Sequence, residues 1–254
     1  STLQASFKEF HPVGELPEIA LKNINTCALE IERIQQAKDL DLHLGLEPEP
    51  LGSFETTPET ISFFEQLHNH SGNPELSKLV GVNYDCCHLA IEFESAQFGL
   101  SQLMEAGIRL SKLHLSSALR AKPTPQNRDL LKSFVEDVYL HQVVVGKSGK
   151  AERRYKDLDI ALQNNVENSD DEEWRIHFHV PLHASPHGTL GDTQKQVLDT
   201  LDWLALNPNA CRHLEMETYT WEVLPAELRS SEVVDQVAKE YEWTLNELNK
   251  RGLK

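Results

Sequence analysis

Four segments of this chain alternate strictly between apolar and polar positions, and each ends near a side chain that can bind a proton or a metal. In Leu42-His43-Leu44-Gly45-Leu46-Glu47 the leucines share one side, and His43, Gly45 and Glu47 share the other. A period of two predicts a strand. Pro48 and Pro50 then end it, because proline cannot donate to a ladder. Leu79-Val80-Gly81-Val82-Asn83-Tyr84-Asp85 repeats the plan, with Gly81, Asn83 and Asp85 in the polar row. So do Arg109–Leu115, where Lys112 and His114 oppose Leu113 and Leu115, and His213–Glu217, where Glu215 and Glu217 oppose Leu214 and Met216. A fifth alternating run, Trp174–Val180, sets His177 and His179 opposite Ile176, Phe178 and Val180.

Helical spacing fills the intervals. Leu16, Ile19, Ala20, Ile24, Ala28, Ile31 and Ile34 predict a helix over about 15–40. Thr57-Pro58-Glu59-Thr60 has a capping residue followed by proline at the first helical position, and predicts a helix through about His70. Further helices are expected over about Ser95–Ala106, closed by Gly107, over about 128–138, over about Thr193–Leu206, and, amphipathic, from about Ser231 to Asn249. Strand, helix and strand joined by short connections imply a parallel sheet. Tyr139–Asp157 breaks that rhythm and reads as an inserted hairpin: Tyr139–Val145, a Gly146-Lys147-Ser148-Gly149 turn, and a basic second arm. Asn164–Glu173 reads as an acidic, solvated loop. The expected fold is α/β: one TIM-type (β/α) barrel domain over residues 1–254, with a hairpin inserted at 139–157. Active sites of such barrels lie at the C-terminal ends of the strands.

If those strands run parallel, Glu47, Asp85, His114 and Glu217 converge. Two glutamates, an aspartate and an imidazole make an oxygen/nitrogen shell suited to divalent manganese, magnesium, cobalt, iron or zinc. An open position in that shell could hold a substrate. Any one of these residues alone is more often a surface group at a loop mouth; the matched positions of all four make the case. His88, in Asp85-Cys86-Cys87-His88, could join His177 and His179 around a second metal with Asp85 bridging. The plainer alternative is hydrogen-bonded histidines lining the mouth. Arg120 could reach a substrate oxygen or phosphate with both guanidinium nitrogens, or equally pair at the surface. Lys112, one layer below His114, fits an ion-pair partner of an inner acid. Tyr219 and Trp221 could wall the pocket or simply pack. His43 and His213 sit low in their strands and are expected to be buried and structural, whereas His183 and His187 are expected to be exposed.

Composition narrows the partners. The net charge is −16, from 24 lysines and arginines against 40 aspartates and glutamates, which makes nucleic acid an improbable partner. No apolar run is long enough to span a bilayer, and no signal peptide is visible. Cys27, Cys86, Cys87 and Cys211 have neither the pattern of a disulfide framework nor zinc-ribbon spacing, which implies a reducing, cytoplasmic setting. The expected ligand is a small sugar-like or polyol molecule, with a homodimer open as the assembly.

Glu47-Pro48, Asp85-x-x-His88, His114 with Arg120, and Glu217 resemble the metal site of the xylose-isomerase-like barrel superfamily. That group includes sugar isomerases, ketose 3-epimerases and endonuclease-IV-type phosphodiesterases. The resemblance implies Glu47, Asp85, His114 and Glu217 as metal ligands, with Glu47 and Glu217 also acting as acid and base. It implies substrate contacts from His88 and Arg120, and an additional metal at His177-x-His179. More closely, Leu46-Glu47-Pro48-Glu49-Pro50, Tyr84-Asp85-Cys86-Cys87-His88, Leu115-Ser116-Ser117-Ala118-Leu119, His177-Phe178-His179-Val180-Pro181-Leu182 and Glu217-Thr218-Tyr219-Thr220-Trp221 resemble the EboE family, called a metabolite traffic protein. That likeness implies a role in making or moving a secondary-metabolite precursor. Barrels of this kind have about four more strands upstream, and Ser1–Phe7 looks like the fourth. The chain is therefore expected to be the C-terminal part, about strands 4 to 8, of a longer protein. Three functions follow as expectations: a metal-dependent isomerase or epimerase, a two-metal phosphoesterase, or a non-catalytic metabolite-binding protein.

Overall fold

The computed structural model of the chain describes residues 2–3, 5–12, 17–73, 75–164, 171–184, 188–217, 219–226, 228–229 and 232–253, with the backbone alone at Leu3 and Ser77. Ser1 and part of the Ser1–Phe7 segment, Leu16, His187, Thr218 and Ser231, named above, and part of the 164–173 loop lie outside these residues. The strands are β1 (Thr2–Leu3), β2 (Leu44–Glu47), β3 (Val80–Asp85), β4 (Leu110–Leu115), β5 (Ala118–Ala121), β6 (Val143–Lys147), β7 (Lys150–Tyr155), β8 (Glu172–His179), β9 (Gly191–Asp192) and β10 (Leu214–Met216). The α-helices are α1 (Glu18–Lys38), α2 (Thr57–Ser71), α3 (Leu76–Leu79), α4 (Cys86–Ile91), α5 (Ala96–Glu105), α6 (Pro125–Leu131), α7 (Leu158–Gln163), α8 (Gln194–Leu206) and α9 (Val233–Lys250).

Two sheets organise the molecule. One is parallel, in the order β1-β2-β3-β4-β10, and the other antiparallel, in the order β7-β6-β8-β5-β9. The chain is a mixed α/β protein. The parallel sheet packs Leu46, Val82, Tyr84, Leu113 and Leu115 against α1, α2, α5 and α8, whose own apolar faces complete that core. Local chemistry sets the helix ends. Thr56 caps α2, one residue earlier than expected: its hydroxyl accepts the Glu59 N–H while the Glu59 carboxylate takes the Thr56 N–H.

The antiparallel sheet corrects the expected plan. β8, which contains the alternating run Trp174–His179, pairs antiparallel with β5 and β6 and not with the parallel strands. The hairpin expected as an insert supplies β6 and β7 of the same sheet, joined through Ser148 and Gly149 at φ +52° and +78°. The helix expected over 128–138 starts and ends earlier, with Thr124 capping α6 and a 3-10 turn at Lys132–Phe134 closing it. One face of β8 buries Trp174, Ile176 and Phe178 in a second core with Leu119, Val143, Val145 and Phe134. The opposite face of the sheet meets α4 along a small seam of Cys87, Ile91, Ala118 and Val144, with Phe93 against it. A Cβ on Gly146 would stand 2.2 Å from the Phe93 ring, so only glycine admits that contact. Arg175 lies over the same ring at 3.8 Å.

Candidate metal centre

The meeting of Asp85 and His114 depends on one extra residue. Val82 pairs with Leu110, but the register then shifts, and Asn83 pairs with Lys112 and Asp85 with His114. Ser111 is the residue inserted. Partners across a ladder point to the same side, so without this bulge Asp85 would stand beside Leu113. Gly81 makes room for it: a Cβ there would lie 2.4 Å from the Arg109 carbonyl oxygen and 2.6 Å from Ser111 Oγ. On the far side of β4, Glu215 of β10 pairs with His114, and Glu217 follows two residues on.

The four expected ligands come together, with one donor atom from each of Glu47, Asp85, His114 and Glu217 within 4.8 Å of all the others. His114 Nδ1 lies 3.1 Å from Glu47 Oε1, 3.1 Å from Asp85 Oδ2 and 3.5 Å from Glu217 Oε2. Asn83 holds Glu47 by donating to Oε2 at 2.7 Å. Asp85 is fully buried, and its Oδ1 accepts Ser116 Oγ at 2.6 Å and the His88 N–H at 3.0 Å. One ring nitrogen carries at most one proton, so it cannot satisfy three carboxylates. The electrostatics record that imbalance. Burial opposes charge on His114, but hydrogen bonds and attraction from Asp85 and Glu47 outweigh it and raise its pKa to about 10. Burial first, and then repulsion from Asp85, lift Glu217 to about 7. A surplus of buried oxygen donors around a shared point is the donor set of a hard or borderline divalent cation. Glu217 keeps 34% of its side-chain surface exposed, so the group opens to solvent on that side.

A second group adjoins the first. His88 Nδ1 donates to the Pro48 carbonyl at 2.8 Å, His177 Nδ1 to Gln142 Oε1 at 2.7 Å, and His179 Nδ1 to the Glu217 carbonyl at 3.3 Å. Gln142 turns its own amide nitrogen toward the Pro50 carbonyl at 3.4 Å, which leaves its oxygen for His177. Each ring is left with Nε2. His88 Nε2 and His177 Nε2 face each other at 2.9 Å, and the buried His179 Nε2 has no hydrogen-bond partner among the described residues. Burial above all, then repulsion from His88, holds His177 well below the ordinary histidine range. Burial likewise lowers His179 to about 4. His88 goes the other way: burial opposes its charge, yet Asp85 and Glu47 raise it to about 9.

Other expected residues fall elsewhere. Arg120 is not brought to either group; it is an exposed residue of β5, paired with Glu173 at 3.1 Å. Lys112 meets Glu215 at 2.8 Å; an ion pair forms, but its acid is 47% exposed and not the inner one anticipated. His43 is half-buried near the Ser111 carbonyl, whereas His213 is 65% exposed, which corrects its expected burial. It precedes β10 and is not held within it. His183 is half-buried rather than exposed. Tyr219 walls the histidine group, its ring centroid 4.7 Å from that of His179. Trp221 is half-buried, with the Arg229 guanidinium 5.7 Å from its ring. Sequence patterning missed Cys87, Gln142 and Ser116; only Cys87 gave a signal, by adjoining His88. A surface hollow of about 360 Å³ beside Phe64, His68 and Val80 contains none of these donors.

No family model matches the chain, and no curated protein and no solved structure matches it either. No helix among the described residues is long and apolar enough to cross a membrane.

Proposed function

We propose that the chain is a divalent-metal-dependent isomerase or epimerase acting on a sugar-like or polyol-derived hydroxy-ketone, and that its parallel sheet is part of a TIM-type barrel of the xylose-isomerase-like kind. One observation carries this reading: donor atoms of Glu47, Asp85, His114 and Glu217, at or just past the ends of four parallel strands, lie within 4.8 Å of one another. Glu47, Asp85, His114 and Glu217 would hold a manganese, magnesium, cobalt, iron or zinc ion there, which would supply Lewis-acid stabilisation of negative charge on substrate oxygens. The protein's own part is proton transfer. Glu217, open to solvent on one side, is placed to take or return a carbon-bound proton. Glu47, fixed by Asn83, stands across the group as its counterpart. The EboE resemblance supports a setting in secondary-metabolite precursor synthesis or traffic.

The test is solvent exchange. The metal-loaded protein in deuterated water, offered ketoses and cyclitol ketones, is expected to wash deuterium into the carbon beside the carbonyl. Glu217→Gln should cut that rate about 10²–10⁴-fold. Metal bound at this group without exchange into any such ketone would leave a metabolite-binding protein instead. A second reading, phosphoester hydrolysis, is favoured by the three histidines His88, His177 and His179 that face one another beside the first group. Release of inorganic phosphate from a small ester would select it.

A further inference from the structure

We propose that Cys87, His177 and His179 form a second cation site of different chemistry from the first, taking a thiophilic divalent ion such as zinc or cobalt with Cys87 as its anionic ligand. Their donor atoms, one sulfur and one nitrogen from each ring, lie within 4.8 Å of one another, and all three residues are buried. Nothing in the proton-transfer chemistry above uses the thiol. The site does not depend on an ion at the carboxylate group.

Three observations carry the assignment. First, the rings are already set as ligands. A histidine that binds a metal through one nitrogen usually donates its other N–H to a carbonyl or carboxylate, which fixes the tautomer and the ring plane. His177 does this with Gln142, and His179 with the Glu217 carbonyl. Second, the nitrogen left over on His179 is buried without a partner among the described residues, which costs about 1–3 kcal/mol unless something binds it. Third, His177 Nε2 faces His88 Nε2 at 2.9 Å although the Nδ1 of each ring already serves an oxygen. Two lone pairs at that distance repel unless a cation sits between them: a proton on His88, or an ion bound to His177 in its place. Cys87 supplies the anionic sulfur that the carboxylate group lacks. Its backbone is fixed by the N–H bond to Ser116 Oγ at 3.0 Å. On binding, the thiol gives its proton to solvent and the sulfur pair forms the bond to the ion, so no oxidant or reductant is needed. Sulfur and two imidazoles are ligands of zinc-type sites, and three such donors leave a fourth position open.

The experiment uses the full chain in a Cys27→Ser background, which removes the exposed thiol. The protein is stripped with chelator and titrated without oxygen with cobalt(II) alone. Bound cobalt is counted by dialysis, and thiolate-to-cobalt charge transfer is read in the near ultraviolet. The expected result is a charge-transfer band that saturates at one equivalent, is lost in Cys87→Ser, persists in Cys86→Ser, and persists in Glu217→Gln. His179→Gln should weaken or shift it, which keeps the test open if Cys87→Ser does not fold. A parent protein with no such band at saturating cobalt overturns the proposal, and so does a band that survives in Cys87→Ser. Cobalt binding that is lost in Glu217→Gln while no band ever forms sinks this site alone. A band with no Glu217-dependent binding sinks the carboxylate site and leaves this one standing.

Discussion

The two donor groups lie on either side of Asp85 and treat the same side chain in opposite ways. His114 and His179 are equally buried, at 4% and 2% exposure. Yet His114 is raised to about 10 and His179 is lowered to about 4. Burial opposes the charged ring in both and is the main cause at His179. What outweighs it at His114 alone is the number of carboxylates. His114 hydrogen-bonds to Asp85 and Glu47, whereas His179 has a carbonyl on one nitrogen and His88 and His177 for neighbours. The first group has negative charge to spare, and the second has a buried lone pair to spare on His179 Nε2. A cation relieves each, but by different chemistry.

That contrast can be broken most severely at the residue both groups share. Asp85→Asn keeps the shape of the side chain and removes its charge. Manganese affinity at the carboxylate group is expected to fall by at least about 100-fold, as measured by equilibrium dialysis. Next in size is Gly81→Ala. The new Cβ meets a backbone oxygen, which cannot swing aside, so the bulge at Ser111 must move. Urea unfolding should show a loss of about 2–3 kcal/mol, with manganese binding weakened because Asp85 and His114 no longer pair. The third is acid. His179 titrates lower in the folded chain than its unfolded value of about 6.5, so the unfolded chain takes the proton first as pH falls. Its contribution is whole above about 6.5 and is lost between there and about 4, by roughly 3 kcal/mol. In metal-free protein, His179→Gln should therefore flatten the fall of the urea midpoint over that window. Smallest is Arg120→Ala. Its pair with Glu173 is exposed, so stability should change by no more than about 1 kcal/mol and deuterium exchange not at all.

Alternation along single segments named Glu47, Asp85, His114 and Glu217, because a period of two decides which side chains share a side. It could not name the partner across the ladder. The shift at Ser111 is a property of two strands together, and neither strand shows it alone. Trp174–His179 alternates as cleanly as the others, and an antiparallel strand with one buried face has that same signature. Its sheet was therefore illegible until β5 and β6 were in place. Helix α4 is too short to display a helical period, so Cys87 and His88 had no visible side. The amphipathic α9 was legible as a helix, but its buried residues are Gln236, Glu240, Thr244 and Glu247. Glu240 accepts the Leu182 N–H, a contact that periodicity does not anticipate, and Glu247 pairs with Arg251 four residues on.

Helix α4 also acts as a gauge. Asp85 caps it, Cys87 and His88 project from its first turn, and Arg175 reaches from β8 to the Ala90 carbonyl at its far end. The span between the two donor groups is thus metered by local helical geometry, at about 1.5 Å per residue. Substitutions along 85–91 leave that length unchanged, whereas inserting one residue would rotate His88 by about 100° and carry it off the seam. Any relative that retains both groups is expected to vary in composition here but never in count.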